Sequence, residues 1–422
     1  MFLLQWTFLA VVAGIVGASV LELFNRLVET MRAFLVTTGV PAPVFAAGGA
    51  LVVGGVIYRI SRDAAGEGIP SYLYALQHSR GPLPVLATVM KFPAAVITLG
   101  TFGSGGVVGP VGRVVVGLLS LVGASVPGTE MSDERSRTAA ICGLAATVAA
   151  VFHAPVGGGI FAVEVIQRAN MRYRDLFPAV LAGAVSVWFA RFVGWSPLIS
   201  VHEPVIAMDL RVVPWTLAFA VVVGLLAGAF TRGYALTVRL FRRDQGRVVA
   251  KVLFGMVAAA LLGSIVNPDL VGTAAELTNA LANGDLELLT GALDPSFPLA
   301  GAALIMLLVR MALSYLTTGS GMSAGLTAPA IQIGMLAGLA AAQLVAPLAD
   351  PSLRAGFLVV GFSGMLAGAM NVPIAAAMLG MEVFGRSVGI PAAIAAIVAF
   401  QMNRHTTIYD YALAGSGHLD ES

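Results

Sequence analysis

The chain has 422 residues, 58% of them hydrophobic and only 11% charged, with a net charge of +2 and a mean hydropathy of +0.89. A soluble domain carries about 25% charged residues, so a soluble globular fold is excluded, and so balanced a charge gives no footing for nucleic acid. The single cysteine, Cys142, excludes an intrachain disulfide.

The opening stretch MFLLQWTFLAVVAGIV has no basic n-region and apolar segments continue after it, so it reads as a membrane helix rather than a cleaved leader. In chain order the apolar runs are Trp6–Leu23, Pro43–Tyr58, Leu83–Leu99, Val107–Val122, Ala139–Phe152, Val156–Ile166 and Leu176–Phe189. They continue as Pro214–Phe230, Val248–Ile265, Leu299–Leu316, Leu326–Leu344, Phe357–Met370, Pro373–Phe384 and Ile390–Phe400. A straight spanning helix needs about 20 apolar residues. Several runs are shorter and are broken by Gly or Pro, which is tolerated at membrane depth only where protein or a watery cavity covers the break. Broken helices of this kind point to a binding site near the midplane.

The sequence repeats itself. GLAATVAAVFHAP, from Gly143 to Pro155, resembles GFSGMLAGAMNVP, from Gly361 to Pro373. Pro155 precedes Glu164 by nine residues, and Pro373 precedes Glu382 by nine. Upstream, Thr101–Gly105 (TFGSG) matches Thr317–Gly321 (TTGSG), and each is followed by Gly-x-x-x-Pro. Four matches in order at nearly one spacing indicate a duplication. The expectation is a single transmembrane domain over residues 1–422, with halves 1–195 and 196–422 and a seam within Gly194–Val213. Duplicated halves with broken helices suggest an inverted repeat. Arg59 and Arg62 follow the second run, and Arg239, Arg242, Arg243, Arg247 and Lys251 lie between the eighth and ninth. The positive-inside rule places both clusters in the cytoplasm. The seam, with Glu203 and Asp209 beside Arg191 and Arg211, reads as external.

Three Gly/Pro-rich breaks open short helices: Gly66-Glu67-Gly68-Ile69-Pro70, Gly106-Val107-Val108-Gly109-Pro110 and Gly325-Leu326-Thr327-Ala328-Pro329. Glycine lets a ligand approach the backbone, and proline fits the first helical turn. The free N–H groups and the helix dipole then bind an anion without a full positive charge, which suits a conductor that must release it.

These breaks resemble the GSGIP, G(K/R)EGP and GxFxP motifs of the CLC chloride channels and proton-coupled chloride transporters. Ala154–Val165 (APVGGGIFAVEV) is similar to that family's APxxGxLFxxEE stretch, Met90-Lys91-Phe92 to its VKF segment, and Thr407-Ile408-Tyr409 to its terminal segment with a pore tyrosine. The resemblance implies an all-α membrane fold of two inverted halves with many tilted, broken helices. It also implies a homodimer with one pore per subunit, joined through helices that here include Leu176–Phe189 and Ile390–Phe400. It implies further a multi-pass protein of the cell (inner) membrane with both termini in the cytoplasm, and a prokaryotic-type member, since no regulatory nucleotide-binding pair follows Tyr409. The residues it assigns to the anion path are Gly66, Glu67, Gly68, Ile69, Val107, Val108, Gly109, Gly325, Leu326, Thr327, Ala328 and Tyr409, with Lys91 either an electrostatic group or a structural cation.

The departures carry information. The family's gating glutamate is Val108 here, and the basic residue before it is Val107. The inner proton glutamate is Val165, with Glu164 in the preceding, structural position. Valine neither blocks a pore as a tethered anion nor carries a proton. The family's anion-binding serine is Glu67. Glu67 either lies solvated in the cytoplasmic vestibule as a helix cap, or faces the anion path. On the path, it would be relieved by protonation, by pairing with Lys91 or by rotation toward the cytoplasm, the last two being expected. His153, beside Pro155, reads as structural. No HExxH, P-loop, GxSxG or cysteine cluster stands in a credible context, so no enzyme activity, cofactor or metal is expected. The expected function is a passive channel for chloride or a similar small anion. The alternatives are a CLC-fold transporter with Glu67 as its proton site and a secondary transporter for an organic solute.

Overall fold

Every apolar run is helical along nearly its whole length in the computed structural model, which describes residues 2–78, 83–125, 132–167, 171–201, 213–242, 248–285, 287–290, 297–345 and 352–414. In chain order the helices are α1 (Phe2–Thr37), α2 (Ala42–Val52), the short α3 (Tyr58–Ile60), α4 (Ile69–His78), α5 (Val85–Gly100), α6 (Val108–Ser125), α7 (Ser132–Phe152), α8 (Pro155–Gln167), α9 (Tyr173–Val193) and α10 (Val213–Arg242). There follow α11 (Val248–Val266), α12 (Ala275–Asn283), α13 (Glu287–Thr290), α14 (Leu299–Gly319), α15 (Thr327–Val345), α16 (Ser352–Met370), α17 (Pro373–Phe384), α18 (Gly389–Asn403) and α19 (Ile408–Ala414). Among the described residues, seven helices are long and apolar enough to cross a membrane by length and composition, and six more are shorter apolar helices.

The two sets divide the work. The long helices α1, α9, α10, α11 and α14 carry exposed apolar side chains such as Phe8, Phe192, Leu225, Ile265 and Leu308, as a lipid-facing surface requires. Helices α6, α7 and α8, together with α15 and α16, are buried along most of their length and lie within the ring of lipid-facing helices. Without a hydrophobic drive between helices in lipid, small residues let backbones approach closely. At the α15–α16 crossing a methyl group built on Gly334 would meet the Gly361 carbonyl oxygen at 2.1 Å.

The halves meet reciprocally. Gly106 and Gly325 form an antiparallel bridge in which each N–H donates to the other's carbonyl at 2.7 Å. Glu164 on α8 accepts the N–H groups of Ile374 and Ala375 at the start of α17, at 3.1 and 2.8 Å. Glu382 on α17 accepts those of Val156 and Gly157 at the start of α8, at 3.1 and 2.7 Å. Each carboxylate satisfies donors that a helix start leaves free. His153 (φ 51) and Asn371 (φ 57) both take the left-handed conformation just past α7 and α16, before Pro155 and Pro373. His153 thus shares the turn of its repeat mate Asn371, with its Nε2 buried and without a hydrogen-bond partner. Most of the seam, including Glu203, Asp209 and Arg211, lies outside the described residues, as do Arg243 and Arg247 and the side chain of Arg242.

Candidate functional site

The three Gly/Pro breaks converge. Gly66 (φ 71) donates its N–H to Gly321 of the other half at 3.1 Å. Gly68 (φ 111) sits so close to the second break that a methyl group there would lie 2.6 Å from the Gly109 carbonyl oxygen. A methyl on Gly109 would in turn lie 2.4 Å from a Glu67 carboxylate oxygen, and one on Gly325 would lie 3.1 Å from the Gly109 nitrogen. Only glycine permits this approach at Gly68 and Gly109. Around it Ile69, Val107, Val108, Leu326, Thr327 and Ala328 are all buried, Val108 completely.

Glu67 lies at the centre. It is 2% exposed. Its Oε2 accepts the N–H of Ile69 at 2.7 Å, and its Oε1 accepts that of Leu326 at 3.5 Å. One carboxylate thus sits on donors from the starts of α4 and α15, where the helix dipoles favour negative charge. This bears on both favoured expectations. Glu67 is buried in the protein and not solvated, held there by the close packing of Gly68 against Gly109. With Lys91 it forms no direct salt bridge, yet each of the two groups stands in the other's field. Fully buried on α5, Lys91 donates to the carbonyls of Ala64 (3.2 Å), Ala65 (3.4 Å) and Gly66 (2.5 Å). Its charge clamps the turn that precedes Glu67. Glu67 does cap a helix, but as a buried group and not as a solvated one.

Tyr409 arrives from α19. That helix is set by a capping box: the Thr407 N–H donates to Asp410 Oδ2 at 3.0 Å and the Tyr409 N–H to Thr407 Oγ1 at 3.4 Å. Buried Tyr409 lies against Thr327 and in the field of Glu67. Neither the Tyr409 hydroxyl nor that of Thr327 makes a well-formed hydrogen bond within the protein. Leaving a buried hydroxyl unpaired costs about 1–3 kcal/mol, so two of them beside one carboxylate mark a place made for another acceptor. The structure therefore brings the three breaks and Tyr409 together around Glu67.

Sequence reasoning missed three groups. Arg113 on α6 is buried and donates to Ser71 Oγ at 3.2 Å and Thr88 Oγ1 at 2.8 Å. A lone cation inside the run Val107–Val122 was signal enough. Arg310, alone in Leu299–Leu316, is fully buried. It donates to Gln332 Oε1 (2.6 Å), the Leu270 carbonyl (2.6 Å) and Ser104 Oγ, so its charge is spent on the fold. Tyr72, on the first turn of α4, is fully buried with its hydroxyl unpartnered. Nothing in the local sequence marked it.

The fold and the site together define a polytopic helical membrane protein whose paired halves aim helix N-termini at one buried point. Residues 49–404 match the voltage gated chloride channel family, and the chain belongs to that CLC family. It is 30% identical over 283 residues to the chloride/fluoride channel protein of Pseudomonas syringae pv. tomato, covering 65% of this chain and 58% of that one. It is 26% identical over 349 residues to the H(+)/Cl(-) exchange transporter ClcA of Citrobacter koseri, covering 78% and 67%. The chain spans about two thirds or less of the length of the curated relatives it matches. A crystal structure of a CLC-type fluoride/proton antiporter superposes with a TM-score of 0.82 at 20% identity, covering 97% of this chain and 98% of that one. That likeness shows the fold: all-α, of CLC type, in two inverted halves.

Proposed function

We propose that the protein moves small inorganic anions, chloride by default, through the cradle at Glu67, and that Glu67 is the carboxylate with which the anion exchanges. The observation that carries this reading is the buried carboxylate on the N–H groups of Ile69 and Leu326, with the Thr327 and Tyr409 hydroxyls beside it making no well-formed hydrogen bond. An anion and an ionised carboxylate on one donor set repel by about 4 kcal/mol at 4 Å and an effective dielectric of about 20. Passage of an anion therefore requires Glu67 to leave its donors or to take up a proton. A proton taken up from one side and released to the other would couple the two fluxes. Glu67 would then serve where Val108 and Val165 cannot. The names of the relatives, an H(+)/Cl(-) exchange transporter and a fluoride/proton antiporter, support this reading.

A second reading is a passive channel in which Glu67 is only an inner gate. It is favoured by the apolar, buried side chains Val108 and Val165, which offer a proton no relay. We further propose a homodimer in the cell membrane, with halves 1–195 and 196–422, one pore per subunit, and Arg59, Arg62 and Arg239 on the cytoplasmic face.

Proteoliposomes loaded with chloride and diluted into low chloride, with external pH recorded, separate the two readings. Coupling predicts proton movement against its own gradient, lost in Glu67→Gln. Chloride efflux with no proton movement would leave the passive reading, and the absence of any anion flux would remove both.

A further inference from the structure

Tyr72 has a burial and a position that the fold alone does not explain. Its ring is fully buried on the first turn of α4, and its hydroxyl has no hydrogen-bond partner. Its electrostatic neighbours are Tyr409, Glu67 and Arg113. The helices α4 and α19 pack against each other, which brings two phenols, Tyr72 without a partner and Tyr409 with Thr327 beside it, into the field of one carboxylate. Behind Tyr72 stands Arg113, a buried guanidinium that donates to the neutral hydroxyls of Ser71 and Thr88 and whose charge is also felt by Asp63. A polar group so deeply buried is normally paired. A donor left open beside a positive group is suited to an anion that comes and goes.

We propose that the Tyr72 hydroxyl is a direct donor to the transported anion when Glu67 yields the cradle, with Arg113 as its electropositive backing. The proposal rests on the reading that the Glu67 cradle takes the anion. It makes Tyr72 a specificity-determining residue. A phenol donor favours a small anion that accepts strong hydrogen bonds, such as fluoride, over a larger one, because the bond it offers must replace lost hydration.

The test is calorimetric titration of chloride and fluoride into the purified full chain. In the Glu67→Gln background, where no ionised carboxylate competes, Tyr72→Phe should weaken chloride binding about tenfold and fluoride binding by more, lowering the fluoride/chloride ratio. A merely structural tyrosine would leave that ratio unchanged, and unchanged affinities for both anions would overturn the proposal. Should Tyr72→Phe fail to fold, 3,5-difluorotyrosine at position 72 keeps the shape and strengthens the donor. It should tighten fluoride binding, and an unchanged affinity would overturn the proposal equally. If neither the native chain nor Glu67→Gln binds an anion, the cradle reading itself falls and takes Tyr72 with it. If both bind and the Tyr72 variants are indifferent, Tyr72 falls alone.

Discussion

The carboxylate of Glu67 accepts the backbone N–H of Leu326, 259 positions further along the chain and in the other half of the repeat. The same carboxylate holds the N–H of Ile69. A negative group fixed on the starts of two helices is arranged like a bound anion that happens to be tethered. On this account Glu67 competes with the transported ion for one set of donors.

Removing the tether should free the donors. Glu67→Ser is expected to tighten chloride binding at neutral pH about tenfold or more, since a repulsion of even 1.4 kcal/mol is tenfold in affinity. Calorimetric titration of native and variant protein measures this directly, and equal affinities would show that Glu67 does not compete.

Val108 opens α6 at the second break and is completely buried. Val108→Glu would place a second carboxylate at the start of α6, whose free N–H groups can hold it. Chloride efflux from proteoliposomes should slow by about tenfold, the effect of about 1.4 kcal/mol on a barrier. A rate equal to the native one would mean that the ion does not pass this break.

Glu164 and Glu382 each cap the helix that carries the other. Glu164→Ala and Glu382→Ala should each lower stability by about 1–2 kcal/mol, read as a lower melting temperature in detergent. Glu164→Gln should leave the pH response of anion flux unchanged. A flattened pH response would assign Glu164 a part in proton handling.

Lys91 donates to the carbonyls of Ala64, Ala65 and Gly66 and lies in the field of Glu67. Lys91→Met keeps the volume but leaves those acceptors without a donor, which should cost about 1–3 kcal/mol and loosen the turn that aims Glu67. Weaker anion binding should accompany the loss of stability. Native stability together with native affinity would refute the clamp.

Helices α9 and α18 expose Trp188, Phe192, Ile390 and Ile397, on or beside the runs expected to form a dimer interface. Purified in mild detergent, the 43.3 kDa chain should elute and weigh as a dimer with two separate pores. A monomeric mass would assign those side chains to lipid.

The sequence showed the apolar runs, the duplication and the three breaks, because each rests on local composition and spacing. Glu164 was readable as structural from its repeat mate Glu382. The second half of α1 was not readable. Glu22, Arg26, Glu29 and Arg32 interrupt its apolar pattern, and those charges are met partly along the helix itself and partly across the fold. Arg26 pairs with Glu22 at 2.5 Å, and Arg32 donates to the Val271 carbonyl at 3.0 Å. The direction of Glu67 was not readable either. A carboxylate beside a helix start can point in or out, and here Gly109 and Leu326, both distant in sequence, decide it. Tyr72 escaped for the same reason, since its neighbours Tyr409 and Arg113 come from other helices.

The account turns on competition between Glu67 and the anion, and the most direct measurement is chloride affinity as a function of pH in the native chain and in Glu67→Gln. A protonated Glu67 is no longer a charged competitor, so native affinity should rise as pH falls, while Glu67→Gln should bind chloride with one affinity across the same range. A native affinity that does not change with pH, or a Glu67→Gln curve that follows the native one, would contradict the account.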